Sequence, residues 1–168
     1  LPSDLSTLNS STSSWKFTDS EDTVWILQTM IGPNGGTYHW GWPISKTTRE
    51  DYSWTFSYNS DSSLASIVDS FGRTATFTWN YFYTSRLATA PAGLLPYPVA
   101  VSSIALPDGT TLKYTYDPAP ASGPSDGSIA IRRLVKAERL NASNAVIDST
   151  AYLYENATFP THVTGIVD

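Results

Sequence analysis

Between Ser63 and Asn80 the chain alternates apolar and polar residues, breaks at Phe71-Gly72-Arg73, and alternates again to Trp79. A side-chain period of two predicts half-buried strands, and two such runs about a short break predict a β-hairpin. The pattern recurs. Gly72 has counterparts thirty-seven residues away on both sides: Gly35 in MIGPNGGTYHWGW and Gly109 in IALPDGTTLKYTY. Met30, Ile67 and Ile104 stand five residues before the three glycines. Trp40, Phe77 and Tyr114 stand five residues after them, and Trp42, Trp79 and Tyr116 seven after. Chance does not place aromatic residues at all six of these positions in a chain that is 13% aromatic. The chain therefore contains an internal repeat, each copy a strand, a tight turn and a second strand.

The turn residues fit this reading. Pro33-Asn34-Gly35, Ser70-Phe71-Gly72 and Pro107-Asp108-Gly109 each end on a glycine, which supplies the positive φ that tight hairpins require. In the second strand of each copy, a period of two puts the aromatics on one face, Tyr38 beside Trp40 and Trp42 among them. A degraded copy lies in LVKAERLNASNAVIDSTAYLYEN, with a turn at Ala142 to Ala145 and aromatics at Tyr152 and Tyr154. A half-copy, YSWTFSYN, gives Trp54, Phe56 and Tyr58, then turns through Asn59 to Ser63. IRRLVKAERL, residues 131–140, suits helix or strand on periodicity alone; its strand neighbours predict strand. The expected fold is all-β, an antiparallel meander of repeated hairpins. Residues 1–14 are Ser/Thr-rich and expected to be poorly ordered; residues 15–168 form the repeat segment. Proline-rich insertions fall near 84–98 and 117–128.

Composition narrows the function classes. The net charge is −5 with a pI near 4.8, and no basic stripe is present, so nucleic acid is not an expected partner. There is no cysteine, which removes disulfides, zinc-thiolate sites and a cysteine nucleophile. No apolar run has the roughly 20 residues of a membrane-spanning helix. The chain starts at Leu1 and stops within THVTGIVD, which reads as a piece of a longer protein.

Candidate chemistry is sparse. His39, between Tyr38 and Trp40, reads as an outward strand residue, and His162 as a loop or strand-edge residue; no metal-ligand spacing links them. Asp61, Asp69, Asp108, Asp117 and Asp126 fall in turns, where aspartate caps its own backbone. No nucleophile motif, phosphate loop or calcium loop is present, so neither catalytic residues nor a cofactor nor a metal is expected. The aromatics are the one unusual feature. They serve either cross-strand packing or the stacking of a ligand such as a sugar.

Three segments resemble RHS repeats, also called YD-repeats: SLASIVDSFGRTATFTWN, VSSIALPDGTTLKYTYD and AYLYENATFPTHVTGIVD. Gly72-Arg73 matches the family's Gly-Arg turn and Tyr116-Asp117 its Tyr-Asp pair. Trp79-Asn80, Tyr58-Asn59 and Tyr154-Glu155 are variants of that pair. FTDSEDTVW resembles segments that precede the repeats in bacterial RHS proteins, and the likeness spans roughly residues 15–168.

The resemblance implies a continuous sheet of hairpins that spirals into a hollow shell around the toxic C-terminal part of the same polypeptide. This chain is too short to close a shell, lacks the family's aspartate-bearing self-cleavage motif and carries no toxin domain. On this reading it is a non-enzymatic wall segment of a secreted or cell-surface parent protein. Its partners would be the remainder of that polypeptide, cargo included, and the secretion machinery. The alternative is a cell-surface module that binds carbohydrate through Tyr38, Trp40 and Trp42. Open sheet edges are pairing hazards, so the segment is expected either to associate through them or to cover them with its proline loops.

Overall fold

The computed structural model describes residues 14–31, 37–80, 100–117 and 132–168. Every regular element among them is a strand: β1 (Ser14–Thr18), β2 (Val24–Ile31), β3 (Thr37–Thr47), β4 (Ser53–Tyr58), β5 (Leu64–Asp69), β6 (Thr74–Asn80), β7 (Ala100–Ala105), β8 (Thr111–Tyr116), β9 (Leu134–Leu140), β10 (Val146–Leu153) and β11 (Gly165–Val167). Each strand is hydrogen-bonded to its neighbour in chain order. The all-β antiparallel meander read from the alternation is the observed fold, and the ambiguous stretch at 131–140 contributes β9. The 1–14 end and both proline-rich insertions lie almost wholly outside the described residues, as does Gly35.

One turn design makes six of the connections. It spans residues 19–23, 48–52, 59–63, 69–73, 106–110 and 141–145. In each, the first residue's N–H donates to the fifth residue's carbonyl, and the fourth residue's N–H donates back to the first residue's carbonyl; in the 69–73 turn these bonds are 3.0 and 2.9 Å. The fourth residue is always left-handed: Asp22, Asp51, Ser62, Gly72, Gly109 and Asn144 have φ between 59° and 81°. This is a tight turn followed by a one-residue bulge, a common hairpin solution. Only two of the six positions hold glycine. Asparagine and aspartate tolerate the left-handed region because their short side chains bond locally.

Side chains reinforce the same turns in two ways. Asp19, Asp69 and Asn141, at the first position, each accept the N–H groups of the third and fifth residues through Oδ1. Asp61 and Asp108, at the third position, accept the fifth residue's N–H and its hydroxyl, the hydroxyl bonds being 2.6 Å in both. The expectation that turn aspartates cap their own backbone holds for Asp61, Asp69 and Asp108; Asp117 instead accepts from Arg133 of the neighbouring segment, and Asp126 lies outside the described residues.

Contacts divide the chain within β6 into two compact units, residues up to 76 and residues from 77 onward among those described. In the first, β1 to β5 and the start of β6 present one aromatic face and one hydroxyl-rich face that also carries Val24, Ile26 and Val68. Trp25 stacks on Phe56 with centroids 6.4 Å apart, and Tyr52 meets Trp54 edge-on at 4.4 Å. Lys46 Nζ lies 4.9 Å from the Trp25 ring and 5.0 Å from that of Trp54, so its charge sits between two π faces. The opposite face carries the pairs Ser45↔Thr55, Thr47↔Ser53, Ser57↔Ser66 and Ser66↔Thr76. Gly41 is required by space. A Cβ on it would meet the Trp15 ring at 3.0 Å and Leu27 Cβ at 3.1 Å.

In the second unit β7 to β11 continue the same pairing. Leu112, Tyr114 and Tyr116 alternate along β8, opposite Arg139, Ala137 and Leu134 of β9. Among the described residues no hydrophobic side chain is fully buried in either unit; only Thr23 and Ser63, both fifth turn residues, are buried, and most apolar strand residues are half-buried. Apolar surface is covered sideways, by cross-strand neighbours.

Two turn substitutions isolate the backbone term. A Cβ added to Gly72 would have no atom within 4 Å, so Gly72→Ala adds no clash. It is expected to destabilise the chain by about 1 kcal/mol, the left-handed penalty less the entropy removed from the unfolded chain. Ser62→Gly, at φ 68°, is expected to stabilise it by about 0.5 kcal/mol. Urea denaturation monitored by tryptophan fluorescence reads both; equal signs for the two would contradict this account of the turn.

Candidate functional site

The repeat aromatics and turn residues are the candidates that the sequence offers, and the structure separates their roles. Gly72 and Gly109 take the left-handed turn position. Phe77 and Trp79 are half-buried on β6, alternating with exposed Thr74, Thr76 and Thr78. Tyr114 and Tyr116 share one face of β8; Tyr152 lies in β10, and Tyr154 just follows it. Trp42 meets Tyr58 edge-on at 5.3 Å. The backbones of Tyr38, His39 and Trp40 belong to β3, but their side chains lie outside the described residues. His162 packs edge-on against Phe159, with centroids 5.4 Å apart.

Tyrosine hydroxyls perform a task that strand patterning does not reveal. Tyr58 donates to the carbonyl of Pro43 at 2.7 Å, Tyr116 to that of Val101 at 2.9 Å and Tyr154 to that of Leu134 at 2.9 Å. In each case the tyrosine ends a strand or, for Tyr154, directly follows one, and the carbonyl belongs to the strand before it. The ring thus spans the pair and closes it with a hydrogen bond. Each such bond is worth about 1 kcal/mol net. These are the tyrosines of Tyr58-Asn59, Tyr116-Asp117 and Tyr154-Glu155. Burial pushes the hydroxyl pKa values of Tyr58 and Tyr116 up, which keeps both neutral donors at physiological pH.

The acidic residue of the second pair is also engaged. Asp117 accepts the Arg133 backbone N–H through Oδ1 and the Arg133 Nε–H through Oδ2, at 2.9 and 2.7 Å. Arg133 then donates to the carbonyl of Pro160 at 3.0 Å and covers the Tyr154 ring at 4.9 Å. One guanidinium thereby ties the end of β8, the start of β9 and the loop after β10.

Arg73 builds the corresponding node at the 69–73 turn. Asp69 Oδ1 accepts the N–H groups of Phe71 and Arg73. Its Oδ2 accepts Tyr52 Oη–H at 2.9 Å and Arg73 Nε–H at 2.6 Å. Arg73 also donates to Tyr52 Oη at 2.8 Å. The Asp69 side chain is only 9% exposed. Burial acts to raise its pKa, but the Arg73 N–H and guanidinium, Tyr52 and Phe71 outweigh it and hold the group at about 2. With four donors on two oxygens, this carboxylate has no lone pair directed at a substrate, so it cannot serve as a general base in this arrangement. Asp108 is likewise held low, first by the Thr110 hydroxyl, and pairs with Arg139 at 3.1 Å.

Among the described residues no group of three or more His, Asp or Glu side chains is placed to hold a metal ion. Nor, among them, is any helix long and apolar enough to cross a membrane. Neither the family models nor the curated proteins compared with this chain match it.

The Asp69 node carries a pH signature. Its folded pKa lies below the usual 3.8, so the stabilisation is complete above about pH 4 and is lost as pH falls toward 2. The stability gap between the parent sequence and Asp69→Asn is expected to be widest at neutral pH and to close between pH 4 and 2. Denaturant midpoints at pH 7, 4 and 2.5 measure it, and a gap independent of pH would contradict the assignment.

Proposed function

We propose that this chain is a structural, non-enzymatic wall segment of an RHS-type secreted or cell-surface protein. Its hairpins form part of the sheet that encloses a toxic C-terminal cargo, and its partners are the further repeats and the cargo of the same polypeptide, with the secretion machinery outside. One observation carries this reading. Hairpins of one turn design pair in chain order, yet among the described residues they bury no hydrophobic side chain completely. A globular binding or catalytic domain of comparable size builds a core; a wall unit needs only lateral contacts and the company of further strands. The Gly72-Arg73 and Tyr116-Asp117 motifs support the family reading, because both perform cross-strand work.

The rival reading is a carbohydrate-binding module. Electron cryo-microscopy of the parent polypeptide separates them. The wall reading expects residues 14–168 as consecutive strands of a closed shell around cargo density. A free-standing lobe would overturn it, and glycan binding abolished by Trp40→Ala or Trp42→Ala in a folded chain would favour the module.

A further inference from the structure

One of the six tight turns lacks the support that the other five share. The 48–52 turn reads Thr48-Arg49-Glu50-Asp51-Tyr52. It has no aspartate or asparagine at the first or third position, where the other turns place the oxygen that receives backbone N–H groups. Thr48 holds the first position, and its hydroxyl is shut off from solvent with no hydrogen-bond partner among the described residues. Glu50 holds the third; it is exposed and one methylene longer than the aspartates that cap from that place. The fourth is a left-handed aspartate, Asp51 at φ 62°, where the 69–73 and 106–110 turns have glycine. The turn's own backbone bonds run from Thr48 N–H to the Tyr52 carbonyl at 2.8 Å and from Asp51 N–H to the Thr48 carbonyl at 3.1 Å.

Its support comes from outside. Tyr52, the fifth residue, donates its hydroxyl to Asp69 Oδ2 at 2.9 Å and accepts Arg73 Nη2–H at 2.8 Å. Both partners belong to the 69–73 turn, which lies at the same end of the sheet because Trp54 pairs with Asp69. The Tyr52 ring packs on Trp54 at 4.4 Å and on Phe71 at 5.5 Å. A backbone bond from Ser70 N–H to the Ser53 carbonyl, 2.8 Å long, runs beside the node. On the other side lies the Arg49–Asp22 pair, 3.8 Å apart with side chains 75% and 68% exposed. A pair so exposed contributes little in water.

We propose that the Tyr52–Asp69–Arg73 node replaces the missing cap and couples two connections, so that the β3–β4 turn opens whenever the β5–β6 turn lets go of the Tyr52 hydroxyl. The chain thus carries a conformational latch. Asp69 and Arg73 hold it, Tyr52 is the part held, and the segment released is 48–52 with the adjoining ends of β3 and β4. A turn that caps itself needs no such neighbour. Local openings of this kind have their own free energy, below that of global unfolding. The latch is a property of the chain itself and does not rest on the wall reading.

Amide hydrogen exchange under native conditions reads the latch at residues 48 and 51, whose N–H groups make the two turn bonds. Tyr52→Phe keeps the ring and removes the hydroxyl. It is expected to speed exchange of both amides by about tenfold. Asn59 and Ser62 make the same bonds in the self-capped 59–63 turn and are expected to change by less than about twofold. Thr48→Asn supplies a cap in the arrangement that Asn141 makes with the N–H groups of Ser143 and Ala145. In that background Tyr52→Phe is expected to alter exchange at residues 48 and 51 by less than about twofold. Unchanged exchange at those residues in Tyr52→Phe, equal acceleration at Asn59 and Ser62, or an effect undiminished by Thr48→Asn would each overturn the proposal. Should Tyr52→Phe fail to fold, Arg73→Lys gives the same comparisons, since it keeps the charge beside Asp69 and withdraws the Nη2 donor from Tyr52.

Discussion

The left-handed residue at the fourth position of each tight turn is the constraint on which the sheet depends. It makes the bulge that lets a five-residue connection join two twisted strands, and so fixes which residue faces which across the pair. A slip of one residue would send Trp54, Phe56 and Tyr58 to the hydroxyl face and Thr55 and Ser57 to the aromatic one. Strain at this position is offset locally. In five of the six turns an aspartate or asparagine oxygen receives backbone N–H groups of the same turn. The turn is therefore a self-contained device that can be repeated wherever the chain must reverse.

Repetition of hairpins leaves the second problem, which is the covering of apolar surface. Neighbouring strands solve part of it through ring-to-ring packing, the Lys46 ammonium between Trp25 and Trp54, and tyrosine hydroxyls that reach a carbonyl of the preceding strand. The ion pairs follow the same lateral logic. Asp69 with Arg73 and Asp117 with Arg133 each join segments that adjoin at strand ends rather than across layers. Aromatics in this chain thus act as cross-strand ties, and their tyrosine hydroxyls finish the tie with a directional bond.

Much of this was legible in the residues. Period-two alternation located the strands, and Gly72 and Gly109 marked two turns, because glycine's freedom is visible in its identity. Asp22, Asp51, Ser62 and Asn144 occupy the same backbone position without that signature, since those residue types are equally at home in right-handed turns. For this reason the fourth copy reads as degraded in sequence, although Asn144 fills the place of its glycine. The Tyr52–Asp69–Arg73 node was hidden for another reason. It depends on β4 and β5 aligning Trp54 with Asp69, a register that no local pattern states. The hydroxyl ties were half legible: the Tyr-Asp pairs stood out, but the carbonyls they reach lie 15 to 20 residues earlier.

The central claim is that the described residues of this sheet are held by lateral contacts and turn chemistry rather than by a core among them. Calorimetric unfolding tests it most directly, because the heat-capacity change reports apolar surface removed from water. A globular domain shows about 12–15 cal/mol/K per residue. Lateral covering alone predicts a value well below that range for this chain, and a value within it would contradict the claim.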